Sequence, residues 1–143
     1  MNIVQARGRS LSTSNKYSMQ KRAGLLFLAK NTERILLILE SGRWTVPTFP
    51  RQRSLLEDAE PLLQQYSQGR VLPIELYLSQ DRGFEYGTYV CLVDREFLAE
   101  SGTFAWAELD DLPAQLHGGL RSTLNNQIIR TKLDTVLELE RCS

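Results

Sequence analysis

Trp44-Thr45-Val46-Pro47-Thr48-Phe49-Pro50 marks the point where the sequence stops reading as sheet and starts reading as helix. Ahead of it lie two apolar runs. Ala23 to Ala29 (Ala-Gly-Leu-Leu-Phe-Leu-Ala) suits a strand buried on both faces, and Asn31-Thr32 supplies turn residues after it. Arg34 to Glu40 repeats the pattern and stops at Ser41-Gly42, so the pair reads as a hairpin. Behind the stretch, Ser54 and Glu57 have capping-box spacing, and Leu55, Leu56, Ala59, Leu62 and Leu63 recur at helical intervals toward Gly69, a helix-ending residue. Pro61 falls inside that helix, where the missing N–H and the ring clash cost about 3 kcal/mol. A kink, or a helix that effectively begins at Pro61, is the expectation.

The pattern continues downstream. Val71 to Gln80 and Phe84 to Asp94 are strand-like and are joined by Asp81-Arg82-Gly83, a good hairpin turn. Thr103 to Trp106 reads as a last short strand, and Glu108 to Leu112 as one helical turn before Pro113. Gly119 to Glu140 places Leu120, Leu124, Ile128, Ile129, Leu133, Val136 and Leu137 on one stripe, which predicts a single long amphipathic helix. Residues 1 to 20 are polar and aperiodic and read as a basic N-terminal arm, with one domain over 21 to 143.

With 143 residues, 42% of them hydrophobic, the chain is long enough for one real core. A formal charge of zero argues against the whole molecule being a polyanion binder. The charge is unevenly spread, however: the first 32 residues carry +6 and the remainder −6. Arg7, Arg9, Lys16, Lys21 and Arg22 supply most of the basic end and are the candidate partner-binding residues, for a protein partner or for self-association, with nucleic acid as a weaker option. Cys91 and Cys142 make neither a disulfide framework nor a metal-site spacing, which suits a reducing compartment. The chain's start lacks the apolar centre of a signal peptide, and no apolar run approaches the roughly 18 residues of a membrane span. A cytoplasmic protein with no membrane partner is expected.

Three local matches then resemble one family, the Nudix hydrolases, over about residues 22 to 138. Ala23-Gly24-Leu25-Leu26-Phe27 with Arg34-Ile35-Leu36-Leu37 is similar to the family's opening hairpin, and Trp44-Thr45-Val46-Pro47 to the approach to its signature box. Phe104-Ala105-Trp106 followed by Leu109-Asp110-Asp111-Leu112-Pro113 resembles its late aromatic-x-Trp strand and Leu-Asp-x-Leu-Pro turn. Leu116-His117-Gly118-Gly119-Leu120 resembles an ending found in Nudix-like proteins of tailed bacteriophages, with Gly118 in place of a proline. The resemblance implies an α+β fold: an α/β/α sandwich with a mixed central sheet, one degenerate box helix and a long C-terminal helix.

The family's box, Gly-x5-Glu-x7-Arg-Glu-U-x-Glu-Glu-x-Gly-U with U aliphatic, stations glutamates one turn apart to hold Mg²⁺ against a diphosphate. Aligned between Pro47 and Gly69, its double glycine becomes Thr48-Phe49, its Arg-Glu pair falls on Leu62-Leu63 and its Glu-Glu pair on Tyr66-Ser67. Glu57, Asp58 and Glu60 are the carboxylates left between Pro47 and Gly69, and acids in a first turn serve the helix dipole and cap. On this basis no catalytic residue, metal ligand or cofactor is assigned. The expectation is a catalytically inactive Nudix-fold chain, not an enzyme, serving as a binding or assembly module, with a phage virion or accessory role implied by the resemblance.

Two alternatives stand beside it. One is a nucleotide- or RNA-binding regulator whose pocket is drawn from Trp44, Phe49, Tyr86, Trp106 and His117. The other is a Mg²⁺-dependent nucleoside diphosphate hydrolase with a relocated metal site at Glu57, Glu60 or Glu85. His117 is the sole histidine and has Ser122, Asp110 and Asp111 near it in sequence, although a loop histidine ordering the start of the last helix explains it equally. Cys91, inside an apolar run, reads as an inert core residue.

Overall fold

The computed structural model describes residues 20–99 and 102–142 of the chain. The arm residues Arg7, Arg9 and Lys16 lie outside the described residues. The elements in chain order are β1 (Gln20–Ala29), β2 (Arg34–Glu40), β3 (Arg43–Thr45), β4 (Thr48–Pro50), α1 (Leu55–Gln65), β5 (Arg70–Asp81), β6 (Phe84–Val93), β7 (Phe104–Glu108), α2 (Gly118–Leu124) and α3 (Gln127–Arg141). The strands form one mixed sheet of order β3-β2-β1-β6-β5, with β4 added to β1 and β7 to β2.

Helices cover both faces of that sheet. β1 runs parallel to β6 along its whole length, from Gln20 opposite Phe84 to Ala29 opposite Val93. A parallel pair in mid-sheet is buried on both sides, which is why Ala23 to Ala29 is an unbroken apolar run. Leu26, Leu28, Val90 and Leu92 point to one side and pack with Leu120, Leu124, Ile129, Leu133 and Leu137 of α2 and α3. Leu25, Phe27, Cys91 and Val93 point to the other and pack with Ala59, Leu62 and Leu63 of α1. This is the expected α/β/α sandwich.

The sheet splits between β1 and β2. Their shared register is the single pair Leu28–Ile35. Toward its start β1 instead takes β4, with Ala23 opposite Phe49 and Gly24 opposite Thr48. β2 meanwhile continues into β3, with Ile38 opposite Thr45 and Glu40 opposite Arg43. Val46-Pro47 spans the gap, and the Leu25 N–H donates to the Pro47 carbonyl at 2.9 Å. The stretch that separates sheet from helix in the sequence therefore straddles an opening in the sheet.

Several expectations need correction. α1 begins at Leu55 and runs through Pro61; both Pro61 and Glu57, whose carbonyl loses its partner, face solvent, so water can replace the missing bond. The expected long C-terminal helix is present as α3, but it starts at Gln127 and not at Gly119, because the Asn126 side chain accepts from the Ile128 and Ile129 N–H groups and separates it from the short α2. Glu108 to Leu112 is a tight turn rather than a helical one, closed by the Asp111 N–H on the Glu108 carbonyl at 3.0 Å.

Candidate functional site

The split in the sheet opens a cavity of about 890 Å³ on the α2/α3 side. Three walls enclose it. Glu40, Ser41, Arg43, Thr45, Val46 and Thr48 come from the splayed strand ends, and Tyr77, Ser79, Phe84, Tyr86 and Thr88 from the β5–β6 hairpin. His117, Ser122, Thr123 and Asn126 come from α2 and the break before α3. Tyr77 and Ser79 reach this side because β5 is bulged: its register against β6 shifts between Val71 and Glu75 and again between Glu75 and Tyr77. Without the second shift Tyr77 would share the face of Glu75, which points to the opposite side of the sheet with Tyr89.

Tyr86 crosses β1 at Gly24, where a Cβ would collide with its hydroxyl and with Val46 Cγ2. Burial pushes the Tyr86 hydroxyl above its ordinary pKa; the Arg22 guanidinium opposes the shift and the Glu40 carboxylate adds to it. Arg22 donates to Thr48 Oγ1 at 2.9 Å, so a cation stands at this end of the cavity. His117 is fixed from two sides. Its backbone N–H donates to the Trp44 carbonyl at 2.8 Å, and its Nδ1 accepts from the Leu120 N–H at 3.4 Å, which leaves Nε2 as the other polar atom of the ring. Tyr77 is 43% exposed and Phe84 38%, so ring faces are available to a ligand rather than consumed by packing.

The five pocket residues expected from the sequence divide between two faces. Tyr86 and His117 line the cavity. Trp44 packs against the core beneath it. Phe49 is buried on the α1 side among Ala59, Leu62 and Leu63. Trp106 also lies on that side: its Nε1–H donates to the Phe97 carbonyl at 3.0 Å, and its ring meets Phe97 edge-on at 5.2 Å. Tyr77 and Phe84 line the cavity as well, while Glu40 and Arg43 were missed as wall residues. The alternation of β6 is the signal that puts Phe84 beside Tyr86; the bulges that bring in Tyr77 leave no mark in the sequence.

On the α1 side a carboxylate does a different job. Asp58 is 6% exposed and accepts from Arg51 Nη1 at 2.5 Å, the Gln52 N–H at 2.9 Å and the Arg53 N–H at 3.1 Å. Burial pushes its pKa up, but these three donors outweigh burial and leave it below the ordinary carboxylate value. Glu57 accepts from the Ser54 hydroxyl at 2.8 Å while Ser54 Oγ accepts from the Glu57 N–H, a variant of the capping box. Glu85 is held by the Gln80 amide at 2.8 Å and Glu75 by the Tyr89 hydroxyl at 3.0 Å. Among the described residues no group of three or more His, Cys, Asp or Glu side chains could hold a metal. The carboxylates of α1 therefore do not fit the Mg²⁺ site of the family's box.

Other candidates resolve simply. Asp110 pairs with Arg130 at 2.6 Å rather than with His117, while Ser122 shares the cavity with the histidine. Cys91 is buried and its thiol is pushed up to about 12, so it stays protonated at neutral pH. Among the described residues no helix is long and apolar enough to cross a membrane.

No family model matches the chain, and no curated protein matches it. Solved structures do. A Nudix hydrolase from M. smegmatis, RenU, superposes with a TM-score of 0.64 at 19% identity, over 83% of this chain and 88% of that one. This chain has the Nudix fold. An E. coli dihydroneopterin triphosphate pyrophosphohydrolase gives a TM-score of 0.58 at 10% identity, covering 77% and 95% of the two chains. A C. elegans Ap4A hydrolase, solved as a binary complex, gives 0.57 at 14% identity, covering 82% and 98%. These neighbours overturn the expectation that the chain is not an enzyme: all three are hydrolases, and they point toward a hydrolase. The carboxylates of α1 serve its cap and the loop before it, and a cavity with its own polar groups stands on the other face of the sheet.

Proposed function

We propose that this Nudix-fold chain takes a nucleoside phosphate compound into the α2/α3-side cavity and hydrolyses it. The carrying observation is the cavity itself: about 890 Å³, with exposed aromatic rings from Tyr77 and Phe84 and the half-buried Tyr86 at one wall and hydrogen-bonding groups from His117, Ser122 and Asn126 opposite. A flat apolar ring between such walls gains stacking and edge contacts together. Arg22 and Arg43 at the split end suit the phosphates. The solved neighbours support this class, since they include a dihydroneopterin triphosphate pyrophosphohydrolase and an Ap4A hydrolase.

Glu40 and His117 line the same cavity and are the groups suited to take a proton from an attacking water or give one to a leaving phosphate. No step is assigned to α1. Thermal melting across a panel of nucleosides, nucleoside di- and triphosphates and dinucleoside polyphosphates tests the binding part; a flat response across the panel sinks it. Phosphate and nucleotide release from the same panel, with and without Mg²⁺, tests turnover, and Glu40→Gln should lose turnover while keeping the melting shift.

A further inference from the structure

α3 carries two apolar stripes. Ile129, Leu133 and Leu137 are buried against the sheet, while Ile128, Thr131, Lys132, Thr135 and Leu139 follow the same helical spacing on the outer side and are exposed. Between this outer stripe and β5, the last strand in the order β3-β2-β1-β6-β5, runs a groove of about 420 Å³. Leu72, Leu76 and Val136 form its apolar floor, and Ile74 stands at its far lip. Ile74, Ile128 and Leu139 are each more than half exposed.

The polar groups on this patch are already satisfied by the chain. The Thr131 hydroxyl donates to the Gln127 carbonyl at 2.9 Å, and the Thr135 hydroxyl to the Thr131 carbonyl at 2.8 Å. The Lys132 ammonium donates to the Leu76 carbonyl at 3.4 Å, so its stem crosses the groove toward β5. Covering the patch therefore strands no hydroxyl.

The shape of the patch selects its occupant. β5 carries Pro73 and two register irregularities against β6, features that keep an edge strand from accepting another strand. A helix suits the groove better. From Ile128 to Leu139 the outer stripe is about 16 Å long at 1.5 Å per residue, with a large side chain at each end and threonines between. Two crossing helices approach closest at their midpoint and diverge beyond it, so small residues belong at the crossing and large ones at the ends. The stripe also reads alike in both directions: an antiparallel copy presents Leu139 to Ile128 and Ile128 to Leu139, which is what a two-fold interface requires. Among the described residues no other helix has a matching stripe, because α1 exposes Leu56 as its one large apolar side chain and α2 buries Leu120 and Leu124.

We infer that the α3–β5 groove is a two-fold interface in which a second copy of this chain crosses its own α3 over the first. The groove and the large cavity share no lining residue, so the inference stands independently of the proposed function. Eleven residues line the groove, against about 20–30 per partner in a standard interface, which puts the dissociation constant on the order of tens of micromolar.

Sedimentation equilibrium of the full chain from about 1 to 500 µM brackets that range. The mass should rise from one chain to two, and added salt should not weaken the association, because apolar contacts are not screened. Ile128→Glu should abolish it while leaving the melting curve unchanged at low concentration, since an acid in the first turn of α3 suits the helix dipole. Thr135→Arg and Thr135→Glu each set like charges across the two-fold axis and should each be monomeric. Their equimolar mixture should associate again, a rescue that requires contact between copies. A chain that stays monomeric, a dimer untouched by Ile128→Glu, or a mixture no more associated than its components overturns the interface. A monomer whose melting temperature falls with Ile128→Glu also overturns it, and gives the groove to another segment of the same chain.

Discussion

The two faces of the sheet treat their polar groups in opposite ways. On the α1 side Phe49 fills the space next to the helix, and Asp58 gathers Arg51 and two backbone N–H groups into a closed set. On the α2/α3 side the sheet splits, aromatic faces stay exposed, and Glu40, Arg43 and His117 line open space. Polar groups that satisfy one another hold a fold in one shape, while groups left facing a cavity are free for a ligand. The likeness in fold to hydrolases therefore does not carry their helix chemistry onto this helix. What carries over is the sheet and its cover, and the proposed site lies elsewhere on it.

The contrast can be broken in order of size. Phe49→Ala should cost the most, about 3–5 kcal/mol of unfolding free energy by urea titration, because it empties a buried aromatic position. Ligand-induced melting shifts should survive it; a variant that lost binding as completely as it lost stability would erase the distinction between the faces. Asp58→Asn comes next, at about 2–3 kcal/mol, since it removes a buried charge that Arg51 and the loop N–H groups are arranged to meet.

Asp58 also predicts a pH dependence. Its folded pKa is below the ordinary aspartate value of 3.8, so its contribution is full above that value and is lost as the pH falls through the folded pKa. Melting temperatures of wild type and Asp58→Asn should run apart above pH 5 and converge in acid. Parallel curves would show that the Arg51 pair contributes nothing. On the open face, Phe84→Ala should change stability by less than about 1 kcal/mol, as a partly exposed residue, yet weaken nucleotide binding about tenfold through lost stacking. The smallest effect on melting belongs to Glu40→Gln, an exposed strand-end residue whose change is expected in turnover alone.

Local rules made much of this architecture legible. The buried run at Ala23 to Ala29, the β5–β6 hairpin around Gly83 with its φ of 65°, and the Ser54 cap each follow from residue types within a few positions of one another. What stayed hidden depends on distant partners. Nothing near Asp58 distinguishes a dipole-complementing acid from one buried under Arg51, because burial is set by the strands beneath it. Phe49 and Tyr86 look alike as aromatic residues and lie on opposite faces because β4 pairs with β1, a choice that the split sheet makes. The break at Asn125-Asn126 interrupts a stripe whose apolar spacing continues across it, so periodicity alone reads through the cap.

The bulges in β5 have a consequence of another kind. They put two successive residues, Leu76 and Tyr77, on the same side of the sheet, one against the core and the other at the cavity wall. Deleting Leu76 would take out the extra residue, leave Tyr77 opposite Thr88 and Ser79 opposite Tyr86 on the cavity side, and cost the core a buried leucine. One extra residue thus lets a single strand serve the core and the cavity together, and its loss would register as lost stability before it altered the wall.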